Sequence, residues 1–299
     1  MELLLVPFLE ATVRTATPLA YAALGELVAE RAGVINLGLE GIIIAGCLGA
    51  MLVANSAGVN AGLAAAAFAG ALMAACFAFL VVRVRTDQII TGTALTLLGL
   101  GVTGTIFRVV TARGVSASTP TIGALPLPLL SELPIVGPAL FAQPATTYAL
   151  YLIVPVLAWW MSRTRGGLAL RAVGERPDAA AAAGVRPDLV RALAILFSGL
   201  MGGLCGGILV LAQVGSFNEG MSAGRGFIAI AVVIVGRWTP LGVAGAAAIF
   251  GAAFALKFLF QSLDWGVPYQ LFLAFPYVLT LVLLASLRGR AAAPASLGR

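Results

Sequence analysis

The chain consists of long apolar stretches separated by short polar breaks. Most of the stretches match a helix that crosses the hydrocarbon core of a membrane, which needs about 20 apolar residues. We count nine of them, and the short segments widen the expected number of spans to roughly eight to ten. They lie near residues 16–29, 33–54, 61–82, 88–110, 146–162, 192–213, 226–236, 241–260 and 270–287. The predicted fold class is all-α, a polytopic membrane protein with a single transmembrane domain, residues 1–299.

The seventh stretch is too short to cross a membrane by itself. It reads FIAIAVVIVGR from Phe227 to Arg237. It fits a re-entrant half-helix, or it joins the next span through the segment 238–240. The choice between these two alternatives decides the number of crossings.

Small residues recur at helical spacing in two halves of the chain, and each set forms one smooth helix face. The sets are Gly41, Ala45 and Gly49 in the first half, and Gly199, Gly203 and Gly207 in the second. Such faces predict close contact with a neighbouring helix. Each set lies beside a polar, Gly-rich segment, residues 33–41 and 215–226. Paired interruptions of this kind are typical of a transporter's central pathway, although 36 glycines in 299 residues also make chance repeats common.

The composition supports a membrane protein and disfavours a nucleic-acid partner. The chain is 61% hydrophobic and 10% charged, with a mean hydropathy of +1.04. Soluble domains carry about 25% charged residues. The net charge of +6 comes from Arg residues spread over loop ends rather than gathered in a stripe. Membrane lipid is therefore the expected surrounding, with no nucleic acid bound.

The basic loops predict the orientation in the membrane. Residues 83–85, 163–191 and 288–299 carry most of the Arg residues and should face the cytoplasm. The Pro-rich loop 111–145 is then external, and its prolines disfavour a regular helix there.

Residues for catalysis or metal binding are scarce. His is absent, the three Cys residues lie inside apolar stretches, and no G-x-x-x-x-G-K-[ST] phosphate loop occurs. We therefore expect a non-enzymatic chain with no metal and no cofactor of its own.

The segment ELVAERAGVINLGLEG, residues 26–41, places polar groups where a membrane helix begins. Ionisable groups in such a segment are costly unless they are paired or line a wet cavity. Two interpretations stay open. In the structural one, Glu26 or Glu30 pairs with Arg31 or Arg237 and fixes a broken helix end. In the functional one, Asn36 and Glu40, one helical turn apart on a shared face, line the substrate pathway.

The second half offers further candidates beside its Gly-rich segment. Arg225 could serve the pathway or a gate, and the ring of Phe227 could stack on a base. Core packing or lipid contact is the alternative for Phe227. Trp238 is expected at the membrane interface as an anchor.

The loop 163–191 is predicted to contain a short, stiff helix. Gly166 and Gly167 should end the preceding helix, and Gly174 should form a turn. Pro177 fits the first turn of a helix that Gly184 ends at its C′ position. Pro187 and Asp188 then begin the next membrane helix. A rigid surface helix suits contact with a cytoplasmic partner better than a flexible linker does.

This loop resembles that of the bacterial ABC import permeases for ribose, branched-chain amino acids and nucleosides. The residues that carry the resemblance are Gly174, Glu175, Arg176, Pro177, Asp178, Ala179, Ala180 and Gly184. The segment from Glu30 to Gly41 is similar to the signature of the nucleoside and simple-sugar branch, as is the segment from Gly224 to Trp238.

The resemblance implies a permease subunit of an ATP-driven importer for nucleosides or simple sugars. The loop would be the coupling helix that docks on a separate ATP-binding subunit, which would hold ATP and Mg. A second permease subunit, related but different, and an extracytoplasmic substrate-binding lipoprotein would complete the assembly in the bacterial inner membrane. A stand-alone ion-coupled secondary transporter is the alternative, but it would need deep acidic relay groups, and Glu40 is the one deep candidate.

Overall fold

The computed structural model describes residues 2–262, 275, 278–282, 285 and 293–298 of the chain. Four long helices form its first half, with a π-helical turn at the end of the third. They are α1 (Glu2–Arg31), α2 (Leu39–Ala57), α3 (Val59–Ala78, extended by the π-helical turn Phe79–Val84) and α4 (Gln88–Ala112).

The second half begins with the Pro-rich segment 111–145 and continues with six helices. That segment, the loop predicted to be external, contains β1 (Leu125–Pro126), α5 (Val136–Phe141) and β2 (Ala142–Gln143). The helices that follow are α6 (Ala145–Arg163), α7 (Arg165–Glu175), α8 (Pro177–Ala182), α9 (Pro187–Ile208, extended by the π-helical turn Leu209–Val214), α10 (Arg225–Val235) and α11 (Pro240–Ser262). The all-α prediction is confirmed, because the two strands of the described residues have two residues each.

Five helices of the described chain are long and apolar enough to cross a membrane: α2, α3 with its π-helical turn, α4, α6, and α9 with its π-helical turn. α10 and the apolar part of α11 are shorter. The predicted span 270–287 lies mostly outside the described residues, so the total of eight to ten stays a prediction. α1 is longer than predicted and ends at Arg31, while α2 begins only at Leu39.

α1 forms the centre of the bundle. It packs against α9, α10 and α11, and every one of its residues from Ala16 to Glu30 is buried. A helix that is apolar on nearly all sides is expected in the interior of a bundle. α1 therefore carries the polar side chains of its last two turns, Glu26 and Glu30, into the core.

The two small-residue faces pack closely against other helices, as predicted. Gly41 lies against the backbone of Leu95 and Thr96 in α4, and Gly49 lies against Ala65 in α3. The α9 face meets α3: Gly199 contacts Gly70, and Gly203 and Gly207 contact Ala66. A Cβ atom at Gly203 would overlap the carbonyl oxygen of Ala66. The glycines thus let α3 and α9 approach to backbone contact.

Three local predictions were wrong. The helix before the basic loop ends at Arg163 rather than at the glycine pair, because the Thr164 hydroxyl accepts a hydrogen bond from Gly167 N–H and starts α7. Gly174 lies inside α7, not in a turn. The Pro-rich external loop contains the helix α5, in which Pro138 occupies the first turn, where a missing N–H costs little.

Candidate functional site

The break between α1 and α2 begins with a Gly-based helix cap. Gly33 has a φ of +89°, a conformation that favours glycine. Its N–H donates to the carbonyl oxygen of Glu30, and Val34 N–H donates to that of Ala29. This pair of bonds is a Schellman motif, which satisfies the last carbonyls of α1. The chain then runs through Asn36 without helical structure to Leu39.

Glu26 anchors the break from inside the bundle. Its carboxylate is fully buried and accepts hydrogen bonds from Asn36 N–H at 2.8 Å and from the Ser198 hydroxyl at 3.1 Å. The Asn36 amide Nδ2 donates to the same hydroxyl at 3.5 Å. Glu26 therefore ties the break to α9 through neutral donors.

Glu30 and Arg31 bind the corner between α10 and α11. The indole N–H of Trp238 donates to Glu30 Oε2. The Arg31 guanidinium donates to the carbonyl oxygen of Trp238 from Nε at 2.9 Å and from Nη2 at 2.6 Å. Arg237 and Trp238 both have positive φ, 55° and 52°, so the surrounding contacts hold this corner in a strained conformation.

These contacts correct two predictions. The predicted pairing of Glu26 or Glu30 with Arg31 or Arg237 is not present; the one ion pair of the described residues joins Arg108 to Glu219. Trp238 is buried, 5% exposed, rather than an interfacial anchor. The indole N–H supplies the donor that a guanidinium was expected to supply.

Glu40 caps a different helix from its own. It lies in the first turn of α2, and its two carboxylate oxygens each accept a backbone N–H at 2.7 Å, from Gly224 and from Gly226. Those N–H groups form the N-terminal end of α10, where a negative charge is favourable. A Cβ atom at Gly226 would overlap the backbone of Glu40. The two broken segments therefore meet at one carboxylate.

The four pathway candidates are only partly brought together. Glu40 and Arg225 lie at the N-terminus of α10, whereas Asn36 lies in the break before α2, so the predicted shared face of Asn36 and Glu40 is wrong. Arg225 donates to the carbonyl oxygens of Met221 and Ser222.

The Arg225 guanidinium also lies 5.6 Å from the centroid of the Phe254 ring, within the range of a cation–π contact. Phe227 is 50% exposed and differs in this respect from the buried Asn36 and Glu40. The roles of Asn36, Glu40, Arg225 and Phe227 in a substrate pathway stay a prediction.

Two buried oxygens of the first break lack a hydrogen-bond donor among the described residues. They are Glu30 Oε1 and Asn36 Oδ1. A buried acceptor without a donor is costly and points to a water molecule, a proton or a ligand group. These two oxygens are therefore the acceptors of this region that a donor from outside the described residues can reach.

The short helix α8 projects its side chains from the basic end of the bundle. Pro177 occupies its first turn, and Gly184, with a φ of +86°, ends it as predicted. Ala180 is buried against the protein, while Glu175, Arg176, Asp178 and Ala179 are exposed. The exposed face carries few long side chains, so another protein surface can approach its backbone.

Gly174 connects this loop to the end of α1. It is buried at the last turn of α7, and a Cβ atom there would overlap the carbonyl oxygen of Arg31. The segment 293–298 reinforces the contact: Ser296 donates from its backbone N–H and its hydroxyl to the carbonyl oxygen of Gly174, at 2.9 and 2.7 Å. Gly298 N–H donates to the carbonyl oxygen of Gly33. We call this cluster of Arg31, Gly33, Gly174, Trp238 and Ser296 the junction.

A cleft of about 480 Å³ opens beside α8. It lies between the α3–α4 corner, with Arg85 and Asp87, and the α8–α9 corner, with Asp178 and Asp188. Charged groups of both signs therefore surround the exposed helix.

Three residues of this region were not identified from the sequence: Ser198, Trp238 as a hydrogen-bond donor, and Ser296. Ser198 is a single hydroxyl in an apolar stretch, and Ser296 lies in an Ala- and Ser-containing tail. Nothing in their local sequence marks them as partners of a residue more than 100 positions away.

Discontinuous helices that meet inside a bundle of apolar spans are the architecture of a multi-pass membrane permease. The chain belongs to the family described as the branched-chain amino acid transport system / permease component, which matches residues 8–284.

Three relatives that are named as ABC transporter permeases align with this chain over most of their length. A nucleoside ABC transporter permease protein of Lactococcus lactis is 33% identical over 93% of this chain and 91% of its own. A guanosine ABC transporter permease protein of Bacillus subtilis is 34% identical over 96% and 94%, respectively. A putative glucose ABC transporter permease protein of Haloferax volcanii is 39% identical over 86% and 78%. No solved structure matches the chain significantly.

Proposed function

We propose that this chain is the permease subunit of an ATP-driven ABC importer and that its substrate is a nucleoside or a simple sugar. ATP and Mg would bind to a separate ATP-binding subunit. A second permease subunit and an extracytoplasmic substrate-binding lipoprotein would complete the importer in a bacterial inner membrane. The names of the relatives, which are nucleoside, guanosine and glucose permeases, support this substrate class.

The observation that carries the proposal is the exposed helix α8 with its rigid connection to the membrane helices. Gly174, one residue before the exposed Glu175, packs without a gap against the end of α1. Movement of α8 by a docked partner would therefore displace Arg31 and, through Trp238, the α10–α11 corner. Such a contact suits the transfer of motion from an ATPase to broken helices at the membrane interior.

The contacts of Glu40 weigh against the alternative of an ion-coupled secondary transporter. That mechanism needs a deep acid that exchanges protons or ions during transport. Both oxygens of Glu40 already accept backbone N–H groups at the N-terminus of α10. A residue held in this way is suited to fixing a helix end rather than to relaying protons.

The first experiment measures radiolabelled uptake in cells that express the chain alone or with its neighbouring permease, ATPase and binding protein. The substrates are a nucleoside panel and ribose. We expect uptake only with all partners and none with an inactive ATPase. Uptake by the chain alone would refute the proposal in favour of a secondary transporter.

A second experiment tests the coupling contact with Gly174→Ala. The added methyl group would overlap the Arg31 carbonyl oxygen, so we expect the reconstituted importer to lose most of its substrate-stimulated ATPase activity while it still inserts and assembles. Gly245→Ala in α11 is the matched control, since no described atom lies within 4 Å of the added carbon. Normal coupling in Gly174→Ala would contradict the role of the junction.

A third experiment asks whether Asn36 contacts substrate. Its amide Oδ1 has no donor among the described residues, so a substrate hydroxyl could satisfy it during transport. We expect Asn36→Ala to raise the KM for uptake without loss of assembly. Unchanged uptake kinetics with a lower Tm would assign Asn36 to the structure of the break alone.

A further inference from the structure

An apolar groove opens on the outer surface of the bundle, at its basic end. Its volume is about 560 Å³, and its walls come from α6, α7 and α9, with Val28 of α1 as the floor. The lining side chains are aliphatic or aromatic. They include Ile153, Leu157, Trp159, Trp160, Leu170 and Phe197.

The rim of the groove is exposed and apolar. Trp159 is 62% exposed, Leu193 56% and Val156 52%. On a soluble protein such a patch would indicate a protein partner. On a chain whose helices span a membrane, exposed apolar side chains of this kind suit contact with the hydrocarbon of the bilayer, and an acyl chain can enter the groove from the side.

Basic residues stand at the end of the groove formed by the corner between α6 and α7. Arg163 is the last residue of α6, one helical turn after Trp160, and Arg165 begins α7, one turn before Ala169 of the groove wall. Residues three or four apart on a helix are neighbours on its surface. Both Arg side chains are exposed, and neither takes part in an ion pair within the described residues.

The corner between these two helices is tightly packed. A Cβ atom at Gly166 would lie 3.1 Å from the Trp160 ring, so the indole fills the space beside the corner. Indole rings favour the level of the lipid headgroups. The apolar groove therefore ends at headgroup depth, where two guanidinium groups are free to bind an anion.

We propose that this groove is a binding site for an anionic phospholipid. One acyl chain lies between α6 and α9, and the phosphate of the headgroup pairs with Arg163 and Arg165. The guanidinium groups bind the phosphate strongly and bidentately. The corner selects an anionic lipid over a zwitterionic one, because the cationic group of a zwitterionic headgroup is repelled by the two Arg side chains, whereas an anionic headgroup keeps its net negative charge. The site does not depend on the proposed transport function.

The test uses the full chain, purified and delipidated, with phosphatidylglycerol or phosphatidylcholine of the same acyl composition added back. Native mass spectrometry counts retained lipids. Lipids brominated along the acyl chain quench the fluorescence of a nearby Trp residue. Comparison with Trp160→Phe identifies the part of the quenching that comes from Trp160. We expect phosphatidylglycerol to be retained and to quench at lower concentration than phosphatidylcholine.

The charge is tested with the double variant Arg163→Gln/Arg165→Gln. We expect its retention of phosphatidylglycerol to fall by roughly tenfold to thirtyfold. Each basic residue near anionic headgroups strengthens binding by about fivefold, and the variant removes two of them. Arg83→Gln/Arg85→Gln is the matched control, because it removes the same charge at exposed positions at the end of α3, away from the groove. An equal loss in both pairs would overturn the site and indicate a general effect of net charge.

The groove itself is tested with Ala169→Phe, which fills it, against Leu168→Phe, whose position is 61% exposed and outside the groove. We expect the first variant to lower phosphatidylglycerol retention and the second to leave it unchanged. Equal quenching by both lipids in the parent chain would overturn the proposal and leave an unselective lipid layer. Unchanged retention of phosphatidylglycerol in Ala169→Phe would also overturn the proposal, because it would indicate that other residues of this chain cover the groove.

Discussion

The two broken segments of the bundle satisfy their polar groups in different ways. The first, residues 32–38, follows α1, and the buried carboxylate of Glu26 accepts the N–H of Asn36 within it. The second, residues 215–224, precedes α10 and has no carboxylate of its own at the helix start. Its N–H groups donate instead to the carboxylate of Glu40, which lies in α2.

The outward connections of the two breaks differ as well. The first touches the basic loop through Gly174 and Ser296. The second pairs with the external loop, where Thr119 N–H donates to the carbonyl oxygen of Gly215 and Phe217 N–H donates to that of Ala117. One break is thus mechanically connected to the cytoplasmic side of the predicted topology and the other to the external side, and Glu40 joins them.

The largest effect is expected from Glu40→Ala, which removes the connection between the breaks. The substitution deletes two hydrogen bonds and leaves the N–H groups of the half-buried Gly224 and the buried Gly226 without this acceptor. We expect a loss of about 3–5 kcal/mol in the free energy of unfolding, measured by SDS titration in mixed micelles. Glu132→Ala, at an exposed position of the external loop, is the control and should change little. A loss below about 1 kcal/mol would mean that the two breaks are stable independently.

The next effect is expected from Trp238→Phe, which weakens the connection between the end of α1 and the α10–α11 corner. The ring volume is partly kept, but the Glu30 carboxylate loses its indole donor and keeps no other described one. We expect a loss of about 1–3 kcal/mol and weaker coupling of ATP hydrolysis to transport. Trp159→Phe, 62% exposed, is the matched control. Equal behaviour of the two variants would show that the Glu30 contact is not needed.

A smaller effect is expected from Ser198→Ala at the first break. Glu26 loses one of its two donors but keeps Asn36 N–H. We expect a loss of about 1–2 kcal/mol by the same SDS titration. Ser162→Ala removes an exposed hydroxyl that bonds to its own helix, and it should be nearly silent. If Ser198→Ala were equally silent, the attachment of the first break to α9 would rest on packing alone.

The smallest effect is expected from Arg108→Gln at the outer edge of the second break. The Arg108–Glu219 pair spans 3.3 Å between Nε and Oε1, but its side chains are 70% and 46% exposed. Exposed pairs contribute about 0–1 kcal/mol. Removal of the other partner, by Glu219→Gln, should lower the free energy of unfolding by the same small amount. A large loss of stability in either variant would indicate that this contact holds the external loop.

The sequence predicted the helical class, the small-residue faces, the start and end of α8, and the existence of both breaks. These features depend on local physics: apolar length, the spacing of Gly residues on one helix face, Pro at a first turn and Gly at a C′ position. The family resemblance drawn from residues 174–184 and 30–41 agrees with the family that matches residues 8–284.

The partners of the charged residues could not be predicted in the same way. Glu30 meets Trp238, Glu26 meets Ser198, and Glu40 meets Gly224 and Gly226, and each pair is separated by more than 150 residues. A carboxylate in a membrane segment needs donors, but the sequence does not say whether they are guanidinium, indole, hydroxyl or backbone groups. The expected ion pairs were wrong for this reason.

The sequence by itself determined that this protein is a helical membrane protein with interrupted spans and a stiff basic loop, because hydrophobic length and Gly and Pro positions act within a few residues. That the protein is a permease followed from the resemblance of residues 30–41, 174–184 and 224–238 to a known family. Only the tertiary structure decided that Gly174 sits against the end of α1 and that Glu40 caps α10. These contacts form where distant helices pack to backbone distance, and the free energy of a buried carboxylate depends on the donors that packing brings to it.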